Sequence, residues 1–395
     1  ALVASFPVTI SPGDEPVSED GDPDTNLTVD FGFIVAGGDP PSGDFFDYGD
    51  APDVGAGTGP GNYQTTALDG GPRHRLDSAH PVRLGACVDA DDGFAQNVMA
   101  DADDLTPSPM VLGTCTDGDD EDGVTFTGPF VPGETATFTV TVSGGDCLVD
   151  AWVDWNRDGA FDGPDERIAN GLAMSPGTTA TLTATVPVTA VPGATYARFR
   201  CSTAGSALPT GEAGDGEVED YLLSIRGADF GDAPASYGTA GAGAAAHLVD
   251  PLTALRLGTC IDTEPDGQPS PDALGDDTHA GTSTIGNCFD DEDGVTLPPV
   301  LIPCLSSPVT VVASAAGLLD AWIDFDGNGA FDAGDRIFSG EPLAAGTNNL
   351  GFAVPCTAIE QLTYARFRFS SAGIGTPTGL AADGDVETTI DHVAQ

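Results

Sequence analysis

The chain has 395 residues and carries 62 Asp and Glu against 12 Lys and Arg, so its formal net charge is −50. This excess of negative charge argues against nucleic acid or an anionic membrane surface as a partner. All 12 cationic side chains are arginine, which excludes lysine chemistry such as a Schiff base, and no apolar run approaches the roughly 18 residues of a membrane-spanning helix.

Residues 1–44 form a tail that precedes the rest of the chain. Within it, the segment DPDTNLTVDFGF at residues 22–33 resembles the closing strand of the B-type, prealbumin-like domains of serine-aspartate-repeat surface proteins. The resemblance implies a strand without the rest of its domain, and an isolated strand cannot bury an apolar face. We expect a donor strand that pairs with the sheet edge of a neighbouring copy and builds a head-to-tail filament. The alternatives are that the tail packs on its own chain or completes a domain that lies upstream.

The remainder of the chain is a tandem duplication. Five motifs occur twice in the same order, which predicts two domains, at residues 45–226 and 227–395, called here the first and second copy. The repeated motifs are DYGDAP at 47 and DFGDAP at 229, DDEDGV at 119 and 290, AWVDW at 151 and AWIDF at 321, TYARFR at 195 and 363, and PTG at 209 and 377.

Six segments of the first copy alternate apolar and polar residues, are rich in Val, Thr, Phe or Tyr, and are bounded by Gly, Pro or Asp. They span residues 124–127, 135–142, 148–155, 179–186, 195–202 and 218–225. This spacing is typical of an antiparallel sandwich, and no segment keeps a helical period. The expected fold class is all-β, with two tandem β-sandwich domains and an N-terminal β-strand tail. Each sandwich is expected to follow an irregular, acidic N-terminal half.

Eight cysteines occur without a CxxC motif or a Cys/His cluster. This pattern favours disulfides over zinc and indicates an oxidising, extracellular compartment. The expected bonds are two equivalent pairs, Cys87–Cys115 and Cys260–Cys288, and two non-equivalent pairs, Cys147–Cys201 and Cys304–Cys356. Each bond is expected to contribute about 3–4 kcal/mol in the chain-entropy model.

The sharpest motif is the loop DWNRDGAFDGPD, which begins at Asp154 and returns in the second copy as DFDGNGAFDAGD from Asp324. Both fit the calcium-loop template D-x-[DN]-x-[DN]-G-x5-[DE], in which the glycine allows a tight reversal and the oxygens converge on one point. The predicted ligands are Asp154, Asn156, Asp158, the Ala160 carbonyl, Asp162 and Asp165 in the first copy, and Asp324, Asp326, Asn328, the Ala330 carbonyl, Asp332 and Asp335 in the second. The alternative is an Asp-rich hairpin turn without an ion.

Two further acidic sets are looser. One follows the first cysteine of each copy and is predicted to bind calcium or to be a solvated loop; it comprises Asp89 and Asp91, and Asp262, Glu264 and Asp266. The other is distributed along the first copy and comprises Asp47, Asp50, residues 119–122, Glu217, Glu219 and Asp220. Carboxylates this dense repel one another unless a cation joins them or water separates them, so both interpretations of this set stay open.

Several other residues recur at matched positions. His74 and His247 are expected to be hydrogen-bonded structural residues rather than ligands, and Trp152 and Trp322 to be core anchors. The arginine pairs that alternate on strands are expected to form salt bridges with acidic residues rather than an anion site; they are Arg198 with Arg200, and Arg366 with Arg368. No carboxylate pair or nucleophile motif marks an active site, so an enzyme is not expected.

The blocks DYGDAP, DDEDGV, AWVDWNRDGAFD, TYARFR and PTGEAGDGEVEDY, in that order, closely resemble the GEVED domain, an acidic β-sandwich module of large secreted bacterial surface proteins. The second copy departs at Thr388 and Thr389, where the first has Asp and Tyr. The resemblance implies a repeated extracellular module of adhesins or matrix proteins. Together with the predicted calcium loops, it leads us to expect a secreted, calcium-stabilised structural repeat of a bacterial surface fibre, matrix or long adhesin. Its expected partners are copies of itself or other surface repeats. The alternative is a calcium-dependent adhesin module that binds glycans or a host or matrix protein.

Overall fold

The computed structural model describes residues 45–102, 108–115, 120–128, 130–252, 255–275, 285–286 and 291–394. The tail at residues 1–44, Asp119 and Cys288 lie outside these ranges. The donor-strand hypothesis therefore stays a prediction.

The first copy contains short strands in its N-terminal half and longer strands after it. They are β1 (Phe45–Tyr48), β2 (Pro72–Leu76), β3 (Arg83–Leu84), β4 (Cys87–Asp89), β5 (Val111–Gly113), β6 (Val124–Phe126), β7 (Thr135–Ser143), β8 (Cys147–Val153), β9 (Arg167–Met174), β10 (Thr178–Thr185), β11 (Gly193–Ser202), β12 (Gly211–Ala213) and β13 (Glu217–Ile225).

Two antiparallel sheets of the first copy form the expected sandwich. One sheet has the order β10-β7-β3, with β6 added through β7, and the other has the order β13-β11-β8-β9. Their inner faces share one buried core, which includes Phe138 and Val140 of β7 and Val149 and Phe199 of the facing sheet. The burial of β7 alternates along the strand, as expected for a strand with one solvated face.

The central strands β8 and β11 are buried on both faces, because the N-terminal half covers the outer face of their sheet. A small sheet in the order β1-β2-β12 belongs to this third layer. Between the layers lies a second apolar cluster, in which Trp152 and Tyr196 pack with Tyr63 and Ala51. The N-terminal half is therefore part of the packed structure, although its strands are short.

The second copy repeats this architecture. Its strands are β14 (Gly227–Phe230), β15 (Ala246–Val249), β16 (Val295–Thr296), β17 (Ser306–Ala313), β18 (Gly317–Ile323), β19 (Arg336–Leu343), β20 (Gly346–Ala353), β21 (Gln361–Ser370), β22 (Leu380–Ala381) and β23 (Asp385–Val393). The sheets have the orders β16-β17-β20, β19-β18-β21-β23 and β14-β15-β22. A 3-10 turn spans Ala235–Tyr237, and the described residues contain no helix long and apolar enough to cross a membrane.

The predicted all-β fold with tandem sandwiches is confirmed. All six predicted segments of the first copy are strands, and the altered end of the second copy still forms the complete strand β23. The edge strand β9 was missed, because its sequence RIANGLAM has little β-branched or aromatic character and pairs with β8 through register shifts.

Disulfides join strands and loops within each copy. The structure contains the bonds Cys87–Cys115, Cys147–Cys201 and Cys304–Cys356. Cys260 is also disulfide-bonded. These are the pairs expected from the sequence, as far as the described residues extend.

Candidate metal sites

The loop between β8 and β9 brings three carboxylates together. One oxygen each of Asp154, Asp158 and Glu166 lie within 4.8 Å of one another. The backbone reverses at Gly159, which has a φ of +83° and where a Cβ would lie 1.8 Å from the Gly59 carbonyl oxygen. Only glycine fits this position, as the loop template predicts.

Hydrogen bonds within the loop orient its oxygens. The Asp158 amide donates to Asn156 Oδ1 at 2.9 Å, and the Ala160 amide donates to Asp158 Oδ1 at 2.9 Å. The buried Asp154 carboxylate accepts the Tyr63 hydroxyl at 2.7 Å. The first, third and fifth positions of the loop are therefore held in one ordered turn.

The second copy has the same arrangement between β18 and β19. One oxygen each of Asp324, Asp326 and Asp335 lie within 4.8 Å of one another. The Asn328 amide donates to Asp326 Oδ1 at 3.1 Å, and the Tyr237 hydroxyl donates to Asp324 at 2.7 Å. Neither tyrosine was predicted, because each is about 90 residues from its aspartate in the sequence.

The last carboxylate of the first loop differs from the template. Asp165, the twelfth residue, is exposed, whereas the adjacent Glu166 is buried and belongs to the three-carboxylate group. Glu166 directly precedes Arg167 at the start of β9, just as Asp335 directly precedes Arg336 at the start of β19. The first loop is therefore one residue longer than the second, and aligning the copies on this arginine would have identified Glu166.

Removal from water changes the acidity of these groups. Burial raises the pKa of Glu166 to about 7, and neighbouring carboxylates add to the rise. Burial also raises the pKa of Asp154 and of Asp335. A bound cation would offset both the desolvation and the repulsion, so the loops fit a divalent ion.

The other predicted loop residues lie outside these two groups. Asp162 and Asp332 are exposed, and Asp332 accepts the Asn328 side-chain amide at 3.2 Å. Ala160 and Ala330 occupy the turn after the glycine, and the roles of their carbonyls stay predictions.

The second and third acidic sets, which are separate in sequence, meet in one buried carboxylate cluster. In the first copy the cluster includes Asp47, Asp89, Asp91, Asp120, Glu217 and Glu219. In the second copy it includes Asp229, Asp262, Glu264, Asp291, Asp385 and Glu387. Burial and mutual repulsion raise the pKa of Glu217 and of Asp385 well above their usual range.

Three predicted acidic residues have other partners in the structure. Asp266 is exposed and accepts the Gly241 amide at 2.9 Å. Asp50 accepts the Ala102 amide at 2.8 Å. Asp220 pairs with an arginine instead, as described next.

The strand arginines are fully buried between the sandwich and the N-terminal half. Arg198 forms a two-pronged salt bridge with Asp220, with both N–O distances at 2.7 Å, as predicted. Among the described ion pairs none involves Arg200, Arg366 or Arg368, and the predicted salt bridges are wrong for these three. The reason is geometric, because backbone carbonyls of the adjoining loops surround their guanidinium groups and accept their hydrogen bonds.

The two histidines hold these arginines. Arg200 Nε donates to His74 Nε2 at 2.9 Å, and His74 Nδ1 lies 2.8 Å from the Asp215 carbonyl oxygen. His247 repeats the contact with Arg368 at 3.1 Å. Burial and the adjacent guanidinium lower the pKa of both imidazoles well below the usual range. Both are therefore neutral structural groups, as expected.

No curated protein matches the sequence. Three solved structures show some likeness, each at 11% sequence identity. Native E. coli alpha-2-macroglobulin has a TM-score of 0.18, and the match covers 69% of this chain and 16% of that one. A tetra-tandem repeat in the extending region of a large adhesion protein has a TM-score of 0.22, with 89% of this chain and 67% of that one covered, and a putative membrane anchored protein from Corynebacterium diphtheriae has a TM-score of 0.19, with 69% and 53% covered. These TM-scores are too low to establish a shared fold. The family model described as GEVED domain matches residues 148–224 and 318–388, which run from β8 to β13 and from β18 to β23. The GEVED model thus matches the corresponding part of each of the two copies.

Proposed function

We propose that the protein is a secreted, calcium-stabilised structural repeat of a bacterial surface fibre, matrix or long adhesin. The observation that carries this proposal is the three-carboxylate group at the same place in both copies. Calcium takes six to eight oxygen ligands on flexible loops. The group supplies three carboxylates, and the ordered turn places Asn156 or Asn328 beside them.

The ion would act as a cross-link between strand ends. Asp154 follows β8 and Glu166 precedes β9, so one cation joins both ends of this hairpin. The same holds for Asp324 and Asp335 in the second copy. Together with the disulfides, such cross-links suit a module that must persist outside the cell.

Calcium binding to these loops is tested by isothermal titration of the chain. The double variant Asp154→Asn with Asp324→Asn is expected to lose the calcium bound at the loops. A second test uses two neighbouring residues of the first copy. Glu166→Gln is expected to weaken calcium binding at that loop, and the matched control Asp165→Asn is expected to leave calcium binding unchanged. Equal calcium binding by wild type and the double variant would contradict the proposal.

One observation favours a second function, that of a calcium-dependent adhesin. Asp158 and Asp326 are exposed, so an ion held by them would have a side open to an external ligand. A glycan and matrix-protein array probed with the calcium-loaded chain distinguishes the two. The structural role predicts no specific binding, whereas binding that chelation abolishes would favour the adhesin.

Polymerisation is proposed on the resemblance of the tail alone. Chemical cross-linking of the full chain is expected to produce ladders, and a variant that lacks residues 1–44 is expected to remain monomeric. Identical patterns for both would contradict the donor-strand model.

A further inference from the structure

The buried carboxylate cluster lies where the N-terminal half of each copy meets the last strand of its sandwich. In the first copy its members come from β1, from β4 and the residues that follow it, from the segment before β6, and from β13. Asp47, Glu217 and Glu219 are 2%, 1% and 1% exposed. Four separate segments therefore place negative charge in a space that water hardly reaches.

Backbone amides fix these carboxylates in the same way in both copies. The Val218 amide donates to Asp47 at 2.7 Å, and the Gly123 amide donates to Glu219 at 2.8 Å. In the second copy the Val386 amide donates to Asp229 at 2.7 Å, and the Gly294 amide donates to Glu387 at 2.8 Å. The arrangement is thus a built feature that both copies retained.

Each cluster also contains a buried oxygen that has no hydrogen-bond partner. It is Oε1 of Glu217 in the first copy and Oε2 of Glu387 in the second. Their side chains are 1% and 2% exposed, and the other oxygen of each accepts a backbone amide. A buried carboxylate oxygen without a partner is costly, so these atoms point to a missing positive ligand.

Neighbouring cations do not neutralise the clusters. Arg200 attracts Asp47, but its guanidinium donates to His74 and to loop carbonyls. In the second copy Arg256 attracts Asp385 and Arg368 attracts Asp229. These arginines supply one positive charge in the first copy and two in the second, which is fewer than the carboxylates of either cluster.

We propose that the buried carboxylate cluster of each copy is a second calcium site, distinct from the β8–β9 and β18–β19 loops, and that its ion fixes the N-terminal half to the sandwich. This inference rests on the proposed function only in taking calcium as the ion. Glu217 and Glu387 supply an oxygen to it. An irregular set of carboxylates from four segments suits calcium better than magnesium, which demands near-ideal octahedral geometry.

The two kinds of site are separated by two double variants of the full chain. Calcium is counted by native mass spectrometry and titration after dialysis against calcium chloride. The cluster variant, Glu217→Gln with Glu387→Gln, is expected to lose half of the bound calcium. The loop variant, Asp154→Asn with Asp324→Asn, is expected to lose the other half. In the cluster variant, limited proteolysis is expected to cut residues 45–122 faster while the sandwich strands stay protected.

An unchanged calcium count in the cluster variant would overturn the inference, whatever the loop variant shows. An unchanged count in the loop variant, with half lost in the cluster variant, would instead overturn the loop sites alone. If the cluster variant does not fold, crystals of the calcium-loaded wild type decide. An anomalous peak about 2.3–2.6 Å from Glu217 and Glu387 supports the inference, and ordered waters alone overturn it.

Discussion

The two copies have a disulfide bond, called here the staple, at different positions of the same sandwich. In the first copy the Cys147–Cys201 disulfide ties β8 to β11. The strand registers place Gly317 and Phe369 at the equivalent positions of the second copy, so that copy cannot form this bond. In the second copy the staple is Cys304–Cys356.

The first copy has Gly133 and Val188 where the second has this staple. The Gly133 amide donates to the Val186 carbonyl just as the Cys304 amide donates to the Val354 carbonyl. A Cβ on Gly133 would lie 3.5 Å from Val188. Both sandwiches thus carry a covalent link, but not at the same site.

The copies also differ around the buried arginine of the central strand. Arg198 and Arg366 donate to matching carbonyls, but Asp220 of the first copy is replaced by Thr388. Arg366 Nε is buried without a hydrogen-bond partner. Burial and the adjacent Arg368 lower its pKa to about 9. The second copy has thus kept the cation and lost its carboxylate.

The largest expected effect comes from giving the first copy the arrangement of the second. Asp220→Thr removes the salt-bridge partner of a fully buried guanidinium, and we expect a loss of up to about 5 kcal/mol in the free energy of unfolding of the first copy. Hydrogen exchange resolved by copy measures it. Thr388→Ala, at the matched position without an ion pair, is expected to cost about 1 kcal/mol. Equal losses would show that the salt bridge contributes nothing special.

Removing the staple of the first copy should have the next largest effect. Cys147→Ala with Cys201→Ala opens a loop with a sequence separation of 54 residues. The chain-entropy model then gives a loss of about 4 kcal/mol. Introducing Gly133→Cys with Val188→Cys into this variant places a staple where the second copy has one, and calorimetry should recover most of the loss. Failure of that bond to form would contradict the proposed equivalence of positions.

Restoring the lost carboxylate should stabilise the second copy. Thr388→Asp is expected to raise the free energy of unfolding of that copy by about 2 kcal/mol, the range of a hydrogen bond to a charged group. Gly231 provides the space, since its counterpart Gly49 lies against Asp220 in the first copy. Denaturant unfolding followed by copy-resolved exchange checks the gain. A destabilised second copy would show that the cavity does not accept the carboxylate.

The smallest effect concerns the residue beside the buried carboxylate cluster. The Tyr221 hydroxyl donates to Glu219 at 3.0 Å and accepts the Val124 amide at 3.1 Å, whereas the second copy has Thr389 at this position. Tyr221→Phe is expected to cost about 1 kcal/mol by chemical denaturation. Thr389→Val serves as the control and should be close to neutral.

Local patterns were enough to predict six strands of the first sandwich and the glycine reversal of the first loop, since alternation and the position of a glycine are properties of short segments. Glu166 was missed because the template counts from the start of the loop and ignores the one-residue insertion. The sequence grouped Asp47, Glu217 and Glu219 in one set but kept Asp89 apart, because only the packing of the N-terminal half on β13 brings Asp89 to this set. The sequence predicted an acidic partner for Arg198, but only the cross-strand register identifies that partner as Asp220.

We propose that bound cations, and not backbone amides alone, hold the acidic loops of both copies together. The most direct test is calorimetric melting of the full chain in calcium and after treatment with a chelator. Calcium at a concentration of about 100 times the dissociation constant of a site stabilises the folded state by about 2.7 kcal/mol. We therefore predict that the chelator causes a large fall in the melting temperature of both copies, and that added calcium reverses it. Superimposable melting curves with and without the chelator would contradict the account.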